Sequence, residues 1–230
     1  AATHLVVELD IDGIGSAERR AAMAAHGMNP DGITLSVLAG PVLWGNLGEA
    51  CVALDISCPG LERLRPWLAA LTLALRAIER SGLDTSTGVD RHFLRRGRGS
   101  HTIVSLETLD GQLSLLSQLG GEDQLGFLEE TVEQIGEAPR LIGEIYTSWR
   151  AGDEVALDRL VNDELRSSTV PGMYDTMMVQ RNASMAAGVA RMARAGHDVF
   201  VVVGAGHLVG PDSVVKHLLA RGWRVERVRY

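Results

Sequence analysis

Hydrophobic and polar positions follow two different periods along this chain. Leu5-Val6-Val7 and residues 102–106 are short runs rich in β-branched residues, too short for helices, and they read as strands. Val199-Phe200-Val201-Val202-Val203 is a near-continuous apolar run, the pattern of a strand buried on both faces. Between these runs the period is that of a helix. Residues 16–26 predict a helix with Ser16 as its N-cap and Gly27 just past its end. Pro66 suits a first helical position, and Trp67, Leu71, Leu75 and Ile78 follow at helical spacing until Gly82. Residues 90–98 predict a short helix whose four arginines read as a solvated face. Residues 27–60 are glycine-rich and weakly patterned, and predict few elements.

From about residue 110 to 195 the pattern is helical throughout. One stripe is Leu125, Leu128, Val132 and Ile135; another is Leu141, Ile145 and Trp149. Asp153 caps a third helix carrying Leu157, Leu160 and Val161, and residues 174–195 form a fourth with Met178, Met185, Val189 and Met192 inward. Such a methionine stripe is core filling. After residue 203, Gly204-Ala205-Gly206-His207 makes a tight loop whose glycines permit close backbone approach and positive φ. Pro211-Asp212-Ser213 opens a helix that Gly222 stops. Residues 223–228 alternate like a half-exposed or edge strand, which completes a unit long enough for a right-handed parallel crossover. The expectation is one α/β domain over residues 1–230: a central, largely parallel sheet with flanking helices and a large helical section inserted between the second and third strands.

Composition narrows the function classes. The chain has 230 residues, 46% hydrophobic and 22% charged, which is that of an ordinary globular domain. Its 22 Lys+Arg against 29 Asp+Glu give a net charge of −7, so no basic field exists to neutralise phosphates and no nucleic-acid partner is expected. The apolar stretch around residues 67–78 is too short to span a bilayer and contains Arg76, so no membrane span is expected. These residues show no charged n-region followed by an apolar h-region, as expected of a mature product or a fragment. Cys51 and Cys58 could close a small disulfide loop in an oxidising compartment or stand as two thiols.

The candidate chemistry sits at strand ends. Glu8 follows the first strand, Glu107 the second and His207 the third. Ligands of open α/β sheets bind outside the carboxyl ends of parallel strands, so parallel pairing would bring two carboxylates and an imidazole together. That set suits a divalent metal or metal-free acid–base work. Each residue also has a plainer role: the glutamates as helix caps, His207 as a surface residue of a turn. Arg181-Asn182 can hold a carboxylate or polarise a carbonyl, or Arg181 can serve as a structural pair between helices. Gly204-Ala205-Gly206 does not continue into a dinucleotide fingerprint, so no nucleotide cofactor is expected, and no serine-hydrolase, zincin or dithiol motif occurs.

Several of these pieces together resemble a known family. Leu106-Glu107-Thr108 with Gln112, Trp149-Arg150-Ala151-Gly152-Asp153, Arg181-Asn182 and Gly204-Ala205-Gly206-His207-Leu208 with Gly210-Pro211-Asp212 are similar to the TraB/GumN family, related to the Tiki proteases. Pro66-Trp67 and Gly88-Val89-Asp90 also match. The resemblance implies a metal-dependent hydrolase, a peptidase acting on peptide or protein substrates. It implies a divalent ion (manganese, cobalt or zinc) on His207 and Glu8, with Glu107, Arg181 and Asn182 as catalytic residues and Gly204 and Gly206 in the substrate loop. It implies a periplasmic or secreted location, since many bacterial relatives carry an export signal. The family's first G-x-x-H motif lies upstream of Glu8 and is not among these residues; His4 lacks the required glycine, and Ser184-Met185 stand where the family often has an aromatic after Arg-Asn. The alternatives are a non-catalytic binding protein of the same fold, a pseudoenzyme, and a protein binding haem or another small ligand.

Overall fold

A computed structural model describes residues 2–228. Three strands, β1 (His4–Val7), β2 (Thr102–Ser105) and β3 (Val199–Val202), form one sheet in the order β2-β1-β3. Both pairings are parallel, with Leu5 opposite Ile103 on one side and Phe200 on the other. The sheet is therefore parallel as the apolar runs predicted, and the helical section lies between β2 and β3. The third run behaves differently from expectation. β3 is an edge strand and Phe200 is 45% exposed, whereas the central β1 is the strand buried on both faces, with Leu5, Val6 and Val7 all enclosed. A continuous apolar run shows that a strand lies in a sheet; it does not show which neighbours cover it.

Helices enclose this small sheet. α1 (Ser16–His26) takes Gly15, not Ser16, as its N-cap, and no side chain caps it. α2 (Leu35–Leu54), α3 (Pro66–Arg80) and α6 (Gly121–Gln134) build the largest core, around Leu43, Leu47, Leu73 and Leu128. α2 is long and apolar enough to cross a membrane by length and composition, but Leu43, Leu47, Ala50 and Leu54 pack it into this core. In α3 Trp67 of the predicted stripe is fully buried, but Leu75 is exposed, and Leu68, Ala69, Ala70, Leu73 and Ala77 are covered instead. Cys51 and Cys58 form a disulfide at a Cα–Cα distance of 5.7 Å.

α4 (Val89–Gly97) lays Leu94 against Leu5, Val7 and Val202. α5 (Leu109–Ser117) is capped by Thr108, whose hydroxyl accepts from the Gly111 N–H at 3.0 Å. α7 (Ala138–Ala151) and the short α8 (Glu154–Leu157) follow, and Asp153 caps α8 as predicted. A π turn (Asp158–Asn162) leads into α9 (Asp163–Ser167), and a second π turn (Asp175–Val179) leads into α10 (Gln180–Arg194). Gly188 lets α10 approach the end of β2: a Cβ there would lie 2.8 Å from Leu106 Cδ2. α11 (Val214–Ala220) is capped by Ser213.

Residues 223–228 do not form the predicted strand. Arg227 finds its partners elsewhere, pairing with Glu154 at 2.7 Å and donating to the Gly152 carbonyl at 2.5 Å; the Trp223 backbone N–H closes α11 on the Leu218 carbonyl, while its indole Nε1 is buried without a partner among the described residues.

Candidate functional site

The parallel register sends all three strand ends to one edge. β1 runs directly into Glu8, β2 reaches Glu107 two residues after Ser105, and β3 leads through Gly204 into a 3-10 turn (Ala205–Leu208) bearing His207. The backbone continues the pairing there, with the Glu107 N–H donating to the Glu8 carbonyl at 2.9 Å. The two carboxylates and the imidazole predicted from strand ends do meet.

Arg181 and Asn182, at the start of α10, reach this cluster in two directions, because consecutive helical residues point about 100° apart. Arg181 faces the glutamates. Its Nε and Nη2 donate to the two Glu107 oxygens, each at 2.8 Å, Nη2 also donates to Glu8 Oε1 at 2.5 Å, and Nη1 donates to the Met177 carbonyl at 3.1 Å. This bidentate grip is the strong form of the guanidinium–carboxylate pair. Gln112 adds a second clasp: its amide nitrogen donates to Glu8 Oε1 at 2.9 Å and Glu107 Oε2 at 2.7 Å. Both Glu107 oxygens and one oxygen of Glu8 are thereby engaged. Glu8 Oε2 is left.

Asn182 faces the histidine. Its Nδ2 donates to the Asp212 carbonyl at 2.8 Å, so its Oδ1 is the end turned to His207 Nδ1, 2.6 Å away. An amide oxygen only accepts, so His207 Nδ1 carries the proton and Nε2 presents its lone pair. That lone pair looks toward Glu8 Oε2 at 3.7 Å. Asn182 is 1% exposed and His207 is buried.

The charges follow from this arrangement. Burial alone pushes Glu107 upward, but hydrogen bonds from Arg181 and Gln112 outweigh it and hold its carboxyl below the usual range. Burial is the main influence on His207 and pushes it down; the Glu8 charge opposes this, and Arg181 adds to it. The imidazole is therefore neutral at neutral pH. Burial opposes the charge of Arg181 too, but its glutamate partners raise it.

A cavity of about 130 Å³ opens beside Glu8, lined also by Leu9, Ile11, Asp90 and Gln112. Asp90 is raised by burial first and by Glu8 second. Gln112 and Asp90 had no site role from the residue pattern alone. The signal for Gln112 is its place five residues after Glu107, on the first turn of the helix that Thr108 caps. The glycines of the loop act differently from expectation. Gly204 has φ −54° and Gly206 is not in the left-handed region; Gly206 is needed for close packing, since a Cβ would lie 2.9 Å from Val161 Cγ1. Positive φ occurs further on, at Gly210.

As for a metal, the donor types fit and their number does not. His207 Nε2 and Glu8 Oε2 are free, but no group of three or more His, Cys, Asp or Glu side chains among the described residues is arranged to hold an ion. Zinc sites of the catalytic kind use three protein ligands.

A protein of Treponema pallidum (strain Nichols), described as uncharacterized, is 26% identical over 166 residues, covering 67% of this chain and 49% of that protein. The chain thus spans about half the length of that relative. No solved structure matches. The TraB/PrgY/gumN family profile matches residues 1–227, and the chain belongs to that family.

Proposed function

We propose that this TraB-family chain is a hydrolase in which His207 is the general base that activates water, with peptide bonds as the substrate class that the family resemblance suggests. One observation carries the reading: a neutral imidazole, fixed in one tautomer by Asn182, turns a free Nε2 toward a free carboxylate oxygen. His207 Nε2 takes a proton from water, and the oxygen adds to the carbonyl carbon. The imidazolium then returns the proton to the leaving nitrogen as the carbon–nitrogen bond breaks. Glu8 Oε2 stabilises that imidazolium, while Arg181 and Gln112 hold the carboxylate in place. On this reading Arg181, Asn182 and Glu107 support the reacting atoms, because their polar ends are already engaged. Among the described residues, His207 Nε2 and Glu8 Oε2 are the two donors left free, one short of the three protein ligands of a catalytic zinc site.

The disulfide supports an exported protein, since such bonds persist in oxidising compartments.

The test is hydrolysis of a fluorogenic peptide library by the parent and by His207→Gln. The substitution is expected to cost roughly 10²–10⁴-fold in turnover, with the melting temperature within a few degrees of the parent. Chelator dialysis should leave parent turnover unchanged. Equal loss of fold and activity would overturn the assignment of His207. A stoichiometric zinc, cobalt or manganese ion that disappears in His207→Gln would replace this mechanism with the metal-dependent one.

A further inference from the structure

The loop that carries His207 is gripped from outside by residues that no motif marks. From one flank comes Asn162, on the first π turn and 1% exposed. Its Nδ2 donates to Asp158 Oδ1 at 2.8 Å and lies 3.4 Å from the carbonyls of both Gly206 and Val209, one on each side of His207. From the other flank comes Tyr174, which immediately precedes the second π turn. Its hydroxyl donates to Asp212 Oδ2 at 3.1 Å and accepts from Arg166 Nη2 at 3.0 Å. The Arg166 guanidinium also stands over the Tyr174 ring, 4.6 Å from its centroid, and reaches Asp158 Oδ1 at 2.9 Å. The two grips are thus joined through Asp158 and Arg166.

The Tyr174 grip bears on His207 by a continuous path. Tyr174 holds the Asp212 carboxylate; the Asp212 carbonyl receives Asn182 Nδ2; Asn182 Oδ1 receives the His207 Nδ1 proton. Each link sets the direction of the next. If Asp212 swings, the Asn182 amide loses what distinguishes its two ends and can rotate. His207 then faces a donor or an acceptor indifferently. π turns inside helices are frequently kept at functional sites, and here two of them flank one loop.

We propose that Tyr174 is a positioning residue for His207, acting through Asp212 and Asn182 to fix the imidazole tautomer and the direction of Nε2. This deepens the reading of His207 as a base, and only its kinetic arm rests on that reading. Outer partners that orient a metal-bound imidazole are worth roughly 10–100-fold in affinity or activity, and orienting an imidazole that acts as a base draws on the same hydrogen-bond control of tautomer and direction.

The experiment uses the full chain with ¹⁵N-labelled histidine, the His207 signals being assigned by their loss in His207→Gln. At pH 7.5 the parent is expected to show His207 protonated on Nδ1 alone. Tyr174→Phe removes the hydroxyl and should give a mixture of both tautomers, with the melting temperature changed by only a few degrees. Asp212→Ala should do the same, whereas Asp212→Asn, which keeps an oxygen for the Tyr174 hydroxyl, should restore the parent spectrum. On a peptide that the parent cleaves, Tyr174→Phe should lose about 10–100-fold in kcat with little change in KM. Identical His207 spectra in the parent, Tyr174→Phe and Asp212→Ala would overturn the proposal. So would an Asp212→Asn spectrum no different from that of Asp212→Ala. If the parent cleaves nothing, the hydrolase reading fails, and the spectra still decide the role of Tyr174.

Discussion

Arg181 is the side chain on which the cluster's stability turns. It sits 11% exposed between Glu8 and Glu107, and it is the only cation among the described residues that bonds to either carboxylate. Removing one partner of a buried ion pair costs far more than the pair itself contributes, because the remaining charge is left without compensation. Arg181→Met is therefore expected to destabilise the fold by about 3–5 kcal/mol. In a protein of this size that lowers the melting temperature by roughly 6–20 °C, measurable by calorimetry. Arg181→Met combined with Glu8→Gln and Glu107→Gln should recover most of the loss, since no bare charge then remains. Without that recovery, Arg181 would owe its effect to packing and not to charge. These residues were partly legible in the sequence. Glu8, Glu107 and His207 show because each follows an apolar run. Arg181-Asn182 shows as a pair with hydrogen-bonding capacity, but its partners do not, since the glutamates that Arg181 holds lie 74 and 173 positions away and His207 and Asp212, which Asn182 holds, lie 25 and 30 away. The plainer role weighed for Arg181 was a link between helices; its partners are instead strand-end glutamates.

Among the elements, α2 was the main omission, and its composition explains why. Glu49 is its one charged residue, and apolar side chains occur all around it, so no 3.6-residue period separates a wet face from a dry one. Gly40, with φ 70°, and Pro41 also kink it near the start. The π turns were invisible for a similar reason: one extra residue per turn shifts the apolar register without leaving a mark in composition. Residues 223–228 failed in the opposite direction, since their alternation is genuine but their arginines find partners at the Gly152 carbonyl just past α7, on Glu154 of α8 and on Glu226 instead of in a ladder. The end of α2 also carries the disulfide. Linking residues seven apart removes loop entropy from the unfolded chain worth about 2–3 kcal/mol. Cys51→Ala/Cys58→Ala is expected to melt roughly 5–10 °C lower, with peptide cleavage at lower temperature unaltered because the bond lies in the α2–α3–α6 core and not at the sheet edge. A reducing agent should produce the same shift in the parent and none in the double variant.

For the whole molecule, one arrangement governs how stability responds to acid. The groups enclosed at the sheet edge are balanced for neutral pH: His207 is held uncharged, and Glu107 is held charged. Both have folded values below their ordinary ones, 6.5 for the imidazole and 4.5 for the carboxyl. A group lowered in this way contributes stability that is full above its unfolded value and lost as pH falls toward and through the folded value. The imidazole is reached first on acidification, and the carboxylate second. Asp90 has the opposite sign, since burial and Glu8 raise it, and its contribution grows as the pH drops. Melting temperature is thus expected to be level near pH 7–8, to decline once the pH passes below about 6.5, and to fall more steeply below about 4.5. Falling net repulsion cannot produce the first decline, because the chain carries −7 at pH 7 and acid moves it toward neutrality. His207→Gln has no imidazole to charge at that place, so its melting curve should stay level from pH 7 to about 5 while keeping the steep fall below 4.5. Glu107→Gln should show the reverse, keeping the first decline and softening the second. A parent curve flat down to pH 5, or a first decline surviving in His207→Gln, would mean that the imidazole is not enclosed in its neutral form. The base that the proposed hydrolysis requires would then be missing.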